Sequence, residues 1–361
     1  MGSERAAALE ALLVQTGFDR ATRVPFPMDA STRSYTRLVL PERTAVLMDA
    51  PLMEDAPCPP AASEAERRGM GWNATSRLAA SRVEAFAAVA QQLSAWGLSA
   101  PQIYGVDVAH GFAVLEDLGD NLYARVIPAG ADEIGLYTVA AHVLARVHSA
   151  PLPLSLEGPG GRWPLLDYDR LAMEVNVDLF VEWLPRASDV LISDSERAQF
   201  ERARDALIDE ALTFPRAFTI RDYHAENLIW LPERDGVRRV GLLDFQDAVR
   251  GWRAWDFSML LHDARRDVSP EAAKAAIRAY LTQMGASEAP FERELAILGA
   301  LNTLRILGLF CRLVSRDQKQ KYAAFMPREW GHLARTLRHP ALAEMAAFMA
   351  QVAPAYVKEA A

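Results

Sequence analysis

The stretch 217–256, AFTIRDYHAENLIWLPERDGVRRVGLLDFQDAVRGWRAWD, constrains the fold more than any other part of the chain. Short apolar runs at 217–220, 228–231 and 240–243 are separated by polar loops, and Pro232, Asp235 and Gly236 punctuate the second of these. That spacing predicts a strand, a loop and then a hairpin. Antiparallel pairing of 228–231 with 240–243 sets Leu228 opposite Leu243. Asn227 and Asp244 then lie side by side at the open end, with Asp222 on the loop entering the same end.

Three oxygen-bearing side chains so gathered suit a hard, hydrated cation such as Mg²⁺, which takes one or two carboxylates and fills its shell with water and substrate phosphates. The remaining carboxylate is free to act on a hydroxyl. Asp222, then Asn227, then a hairpin and Asp244 is the order in which phosphoryl-transfer enzymes of the kinase type place a base and two metal ligands. Each residue taken singly is also an ordinary turn residue, but turn chemistry leaves the spacing, the hairpin and His224 unexplained together.

These residues carry a resemblance. Arg221-Asp222-Tyr223-His224-Ala225-Glu226-Asn227 is similar to the catalytic loop of the aminoglycoside phosphotransferase-like kinases, and Leu243-Asp244-Phe245-Gln246-Asp247 stands where protein kinases carry their Asp-Phe-Gly motif. Within that family the segments 45–51, 115–119, 244–248 and 307–313 most resemble bacterial cell-wall amino sugar kinases, which phosphorylate N-acetylmuramate and N-acetylglucosamine at the anomeric hydroxyl. The resemblance spans most of the chain. It implies an α+β, bilobal, protein-kinase-like fold with a small antiparallel-sheet N-lobe (1–118) and a larger, mainly helical C-lobe (119–361). It also implies ATP and Mg²⁺ as cofactors. Asp222 is the expected base, Asn227 and Asp244 are the expected metal ligands, and His224 orders the loop or meets phosphate.

The composition agrees with a small-molecule enzyme. The 361 residues are 51% hydrophobic and 24% charged, enough for one large or two modest cores. A net charge of −8 argues against a nucleic-acid surface. Cys58 and Cys311 lack ligand spacing, which points away from a disulfide framework or zinc site and toward the cytoplasm. Residues 1–6 carry no signal core, and Asn302, Arg305 and Arg312 interrupt the most apolar stretch, 295–314, so no membrane span is expected. The expected partner is a small-molecule amino sugar, met by a monomer.

Along the chain, 5–17 reads as a helix and 44–50 as a strand. Given the resemblance, the polar stretch before Tyr35 suits a loop over phosphates, with Ser31, Thr32 and Arg33 as nucleotide contacts; its residues alone, with no glycine among them, read as a plain hairpin loop. The strand containing Met48 lacks the lysine that kinases use to reach the α- and β-phosphates, and Arg33 or Arg37 could supply that charge. Residues 52–80, rich in Pro, Ala and charge, read as a flexible insertion. A helical stripe at 81–96 carries Glu84, the counterpart of the acid that pairs the absent lysine. The backbone of Glu116 and Leu118 resembles the hinge that hydrogen-bonds adenine.

In the second half, 136–149 is an amphipathic helix whose His148 is a core or capping residue. Residues 158–166 read as a Gly- and Pro-rich loop, and everything after 255 as helices. Asp256 resembles the aspartate that accepts backbone amides of the catalytic loop, although a helix cap would look the same. Asp247 is a candidate at the metal's periphery or the substrate. Trp252 and Trp255 could stack on a sugar or fill a core. Arg305, Arg312 and Arg316 share a helical stripe that could receive the lactyl carboxylate of N-acetylmuramate or pair with acids of the chain.

Overall fold

The computed structural model describes residues 2–27, 33–52 and 57–358. It divides into two compact units, one of Met1–Asp132, Ala150–Leu166 and Ala225–Val249, the other of Glu133–Ser149, Asp167–His224 and Arg250–Ala361. Contacts therefore do not follow a single cut at 118/119. The hairpin bearing Asn227 and Asp244 belongs to the unit that holds the N-terminal sheet, whereas Asp222 belongs to the other.

The first unit is built on an antiparallel sheet of β1 (Thr22–Pro25), β2 (Ser34–Val39), β3 (Thr44–Asp49), β4 (Ile103–Asp107) and β5 (Phe112–Glu116), in spatial order β1-β2-β3-β5-β4. The helix Ser3–Thr16 stops at Gly17, whose φ of 73° is the left-handed geometry that ends helices and that glycine adopts without strain. Its Leu9, Leu12 and Leu13 pack with Phe18, Leu38, Leu47, Phe112 and Val114 into one core.

Residues 52–80 do not form a plain flexible insertion. Among the described residues, Glu64–Met70 and Trp72–Thr75 are helical, and the first begins at a capping box in which Ser63 and Glu66 satisfy each other's amides. Arg67 is buried and donates to the carbonyls of Ala74 and Thr75 at 3.2 and 2.9 Å. A charged residue here serves as an internal cap, which is why composition misleads.

Residues 155–164 likewise form a hairpin, Ser155–Gly158 with Gly161–Pro164, rather than a loop. It packs on the helix Val83–Ala95, and a Cβ at Gly158 would lie 2.6 Å from the Ala88 backbone.

In the second unit the helix Glu288–Ser315 packs lengthwise on Arg170–Ala187, and Glu133–His148 on Pro270–Met284. The long helix is apolar enough to cross a membrane by length and composition, but 72% of its apolar window is buried inside the fold, as a central core helix requires. Phe257, Tyr280 and Phe291 form an aromatic cluster with centroids 4.6–5.3 Å apart. The strand Arg216–Thr219 pairs with Val249–Trp252, a strand that charge and glycine conceal in the sequence.

Candidate active site

In the first unit the hairpin Leu228–Trp230 with Val240–Leu242 forms as the apolar runs require, but its register differs by one residue. Leu228 faces Leu242, and the Leu243 amide donates to the Asn227 carbonyl at 3.0 Å. The 3-10 turn Gly236–Arg239 takes up the slack. Asp244 still follows directly at the open end. Its φ of 54° is left-handed, a geometry that Asp tolerates better than most residues.

The Asp244 carboxylate is partly open to solvent. It accepts from Arg33 Nη2 at 3.1 Å and from Gln246 Nε2 at 3.0 Å, both on Oδ1. Arg33 thus reaches the Asp244 carboxylate, while Ser31 and Thr32 lie outside the described residues. Among the described residues no three His, Cys, Asp or Glu cluster as a self-sufficient metal cage would. One carboxylate and one neighbouring amide side chain make the donor set of a cation that completes its shell with phosphates, so Asn227 and Asp244 fit Mg²⁺.

Other assignments in this unit change. Both oxygens of Asp247 are engaged, Oδ1 by the Ala79 amide at 2.6 Å and Oδ2 by Gln246 at 3.2 Å, so Asp247 tethers its loop and is linked to Asp244 through Gln246. Met48 is wholly buried in β3 and offers a nucleotide no exposed side chain. The Glu116 amide donates to the Gln102 carbonyl at 2.8 Å, which leaves the Glu116 carbonyl and the Leu118 amide as the backbone groups on which a nucleobase contact there would rest. Leu118 packs with Ile229 and Leu231, fastening the chain beyond β5 to the metal-site hairpin. Glu84 is closed by Arg82, whose Nε donates at 2.7 Å.

In the second unit Asp222 sits on a loop held from below. Asp256, fully buried, accepts the Ile220 amide on Oδ2 at 2.8 Å and the Arg221 amide on Oδ1 at 2.9 Å. The family-like role of Asp256 is therefore present. His148 approaches Asp256 Oδ2 at 3.4 Å and Tyr280 Oη at 2.9 Å, a core residue as expected. Arg221 has a φ of 78°, strain for a side chain of its size, which the two amide bonds hold in place immediately before Asp222.

His224 is buried, with Nε2 3.4 Å from Arg265. Burial, with the charges of Arg265 and Arg305 nearby, pushes its imidazole down to about 3, so it is neutral near pH 7 and brings no positive charge to a phosphate. Arg305 is the arginine of the stripe that lies in the electrostatic reach of Asp222 and Tyr168. Its Nε donates to Asn302 Oδ1 at 3.0 Å and its guanidinium lies 5.5 Å from the Trp255 ring centre. Arg312, two helical turns away, has Arg316, Asp317 and Glu182 for neighbours, and Arg316 pairs with Asp317 at 2.6 Å. The stripe is divided, and of its three arginines Arg305 is the one that feels the Asp222 charge.

Trp252 and Trp255 are core residues. Both are buried, Trp252 under the Arg216 guanidinium at 4.2 Å, and both edge-on to Tyr168. Neither presents a face to a sugar. Sequence reasoning also missed Glu329, a wholly buried carboxyl near Asp263, Arg265 and Arg305 whose oxygens receive no hydrogen bond from the described residues. Its helix is legible in sequence, but the direction of the side chain is not.

Comparison with known proteins settles the family. Residues 22–295 match the phosphotransferase enzyme family. The chain belongs to it. Two relatives are similar over nearly the whole of this phosphotransferase. The N-acetylmuramate/N-acetylglucosamine kinase of Caulobacter vibrioides is 50% identical over 98% of both chains. The protein of the same name from Pseudomonas aeruginosa is 30% identical, covering 92% of this chain and 89% of its own. Among solved structures, a choline/ethanolamine kinase family protein from Mesorhizobium loti superposes with a TM-score of 0.59 at 16% identity, over 96% and 99% of the two chains. That likeness shows the shared protein-kinase-like fold of this phosphotransferase, which is an enzyme of the kinase class.

Proposed function

We propose that this enzyme transfers the γ-phosphate of ATP to the anomeric hydroxyl of N-acetylmuramate and N-acetylglucosamine, as a cytoplasmic monomer in cell-wall sugar recycling. What carries the reading is the near-full-length, 50% identity to a relative of that named specificity. The buried Asp256 latch adds chemical support, because it presents a carboxylate one residue after the amides it holds.

Asp222 orients the sugar hydroxyl and takes its proton as the oxygen attacks. Phosphoryl transfer has a loose transition state, so this carboxylate acts by position and charge more than by strong basicity. An anomeric hydroxyl is more acidic than an ordinary alcohol, which lets the proton leave late. Asn227 and Asp244 hold Mg²⁺, which when bound neutralises charge on the phosphates. Neutral His224, with Arg265 beside it, keeps the loop in shape. Arg305 is the cation available near Asp222 for an acceptor carboxylate such as the lactyl group. Two free, buried cysteines accord with a reducing compartment.

The test is ADP release with ATP and Mg²⁺ against N-acetylmuramate, N-acetylglucosamine, kanamycin, choline and methylthioribose, with phosphorus NMR of any product. Turnover on the two amino sugars with an anomeric phosphate signal is expected. Turnover on choline or kanamycin alone would replace the acceptor and keep the fold. The variant Asp222→Asn should bind ADP as the parent does and lose about two orders of magnitude or more in kcat. Parental kcat in that variant would remove Asp222 from the base role.

A further inference from the structure

Kinases of this architecture place a lysine on the strand corresponding to β3 to steady the α- and β-phosphates. Here that strand reads Thr44-Ala45-Val46-Leu47-Met48-Asp49, without a cation. Its one charged residue, Asp49, is paired with Arg5 from the N-terminal helix, and Arg5 also donates to the His110 carbonyl at 2.9 Å and lies 4.1 Å over the Phe112 ring. Arg5 is a fastener for the sheet.

Two arginines on the adjoining strand region could supply the missing charge, and their surroundings separate them. Arg37 is engaged by two acids. Its Nη1 and Nη2 donate to Asp120 at 2.9 and 3.0 Å, Nη2 also to Asp117 at 3.2 Å, and its guanidinium covers Phe26 at 4.9 Å. Pulling it away would strand two carboxylates, one of them 7% exposed. Arg33 has its ion pair with Asp244, a carboxylate 41% exposed and already served by Gln246. That partner is the residue assigned to the metal.

We infer that Arg33 supplies the phosphate-binding charge absent from β3, and that in the nucleotide-free protein it is parked on the Asp244 oxygen a metal ion would use. The inference rests on the nucleotide reading of the site. Arg33 and a divalent cation are alternative partners for one carboxylate, since both present positive charge to Oδ1. Arg33 must leave Asp244 when the cation arrives, and the triphosphate accompanying the cation is the anion that receives it. Two consequences follow from linkage. Free divalent cation binds the empty protein weakly, because Arg33 competes. Nucleotide and metal bind cooperatively, because the phosphates draw off the competitor. Gln246, donating to the same oxygen from the side, keeps Asp244 aimed through the exchange.

The deciding experiment uses Mn²⁺ as the probe and electron paramagnetic resonance of free Mn²⁺ as the readout, on the full chain and on Arg33→Gln. Without nucleotide the variant should bind Mn²⁺ about fivefold more tightly, the scale of losing one half-exposed ion-pair competitor. With ADP present it should bind the ADP and Mn²⁺ together about tenfold more weakly, and Arg33→Lys should recover part of that loss. An Arg33→Gln protein whose Mn²⁺ affinity without nucleotide is unchanged or lower would overturn the inference. Wild-type protein that binds Mn²⁺ but no ADP would sink the nucleotide reading as well, and the acceptor panel would show the same failure independently.

Discussion

Asp256 Oδ1 accepts the Arg221 amide at 2.9 Å while Oδ2 of the same carboxylate accepts the Ile220 amide at 2.8 Å. Each oxygen serves one of the two loop amides, so no single neutral acceptor can replace the pair. In Asp256→Asn one amide of the loop must face an NH₂ group, and a buried donor is left unmet at a cost of about 1–3 kcal/mol. The left-handed Arg221 would relax and carry Asp222 with it. We expect kcat to fall at least about tenfold, with ADP affinity within about twofold of the parent, since orientation within a fraction of an ångström governs the transfer step. Stopped-flow ADP release with isothermal titration checks both numbers, and an unaltered kcat would mean the latch does not position the base.

Local pattern made much of this legible. Apolar runs at strand spacing announced the hairpin, and the order Asp222, Asn227, Asp244 pointed to the phosphotransferase class that the family match shows. Asp256 could be read only by likeness, because its donors lie 35 and 36 residues earlier in the chain. The one-residue difference in register arose at the strand ends, where Leu231 and Leu243, apolar residues that sequence counts as strand, lie just outside the ladder. Trp252 looked available because indole suits a sugar as well as a core, and burial alone distinguishes them. Arg67 and Glu329 were opaque for the opposite reason, since charge ordinarily marks a surface and here both are enclosed.

Glu329 makes stability depend on pH. Burial, with the Asp263 carboxylate adding to it, raises its carboxyl from 4.5 to about 8, while Arg305, Arg265 and Arg328 pull the other way. Below pH 4.5 folded and unfolded chains both hold this proton and the group is silent. Between there and about pH 8 the unfolded chain releases the proton while the fold retains it, so stability declines as pH rises. Buried His224, His262 and His332, held neutral in the fold, gain stability over the same rise in pH, so the parent is compared with Glu329→Gln. By differential scanning calorimetry the variant's Tm should rise relative to the parent's from pH 6 to pH 8 and exceed it at pH 8. An identical slope in the two proteins would assign the dependence to other groups.

Trp252→Phe separates packing from recognition. The indole is enclosed by Tyr168 and Arg216, so the smaller ring leaves a cavity and weakens the cation-π contact, together about 2 kcal/mol of stability. The KM for the acceptor sugar should stay within about twofold. A large rise in KM with Tm unchanged would return Trp252 to the acceptor site.

Gly308 and Gly331 are both helical glycines, and their alanine variants should differ in sign. A Cβ on Gly308 would overlap the Leu179 carbonyl carbon and the Phe180 nitrogen, so the close approach of Glu288–Ser315 to Arg170–Ala187 exists only because the side chain is absent. Backbone cannot swing aside as a side-chain tip can, and Gly308→Ala should cost about 1–3 kcal/mol or more. Arg305 lies one turn earlier on the same helix, so the displacement should also raise the acceptor KM. At Gly331 a Cβ meets only the flexible end of Arg335 at 3.3 Å. Gly331→Ala therefore gains helix propensity of up to about 1 kcal/mol with little steric penalty. Urea unfolding of the two variants checks the contrast, and equal stability would show that the helices separate freely to admit the methyl group.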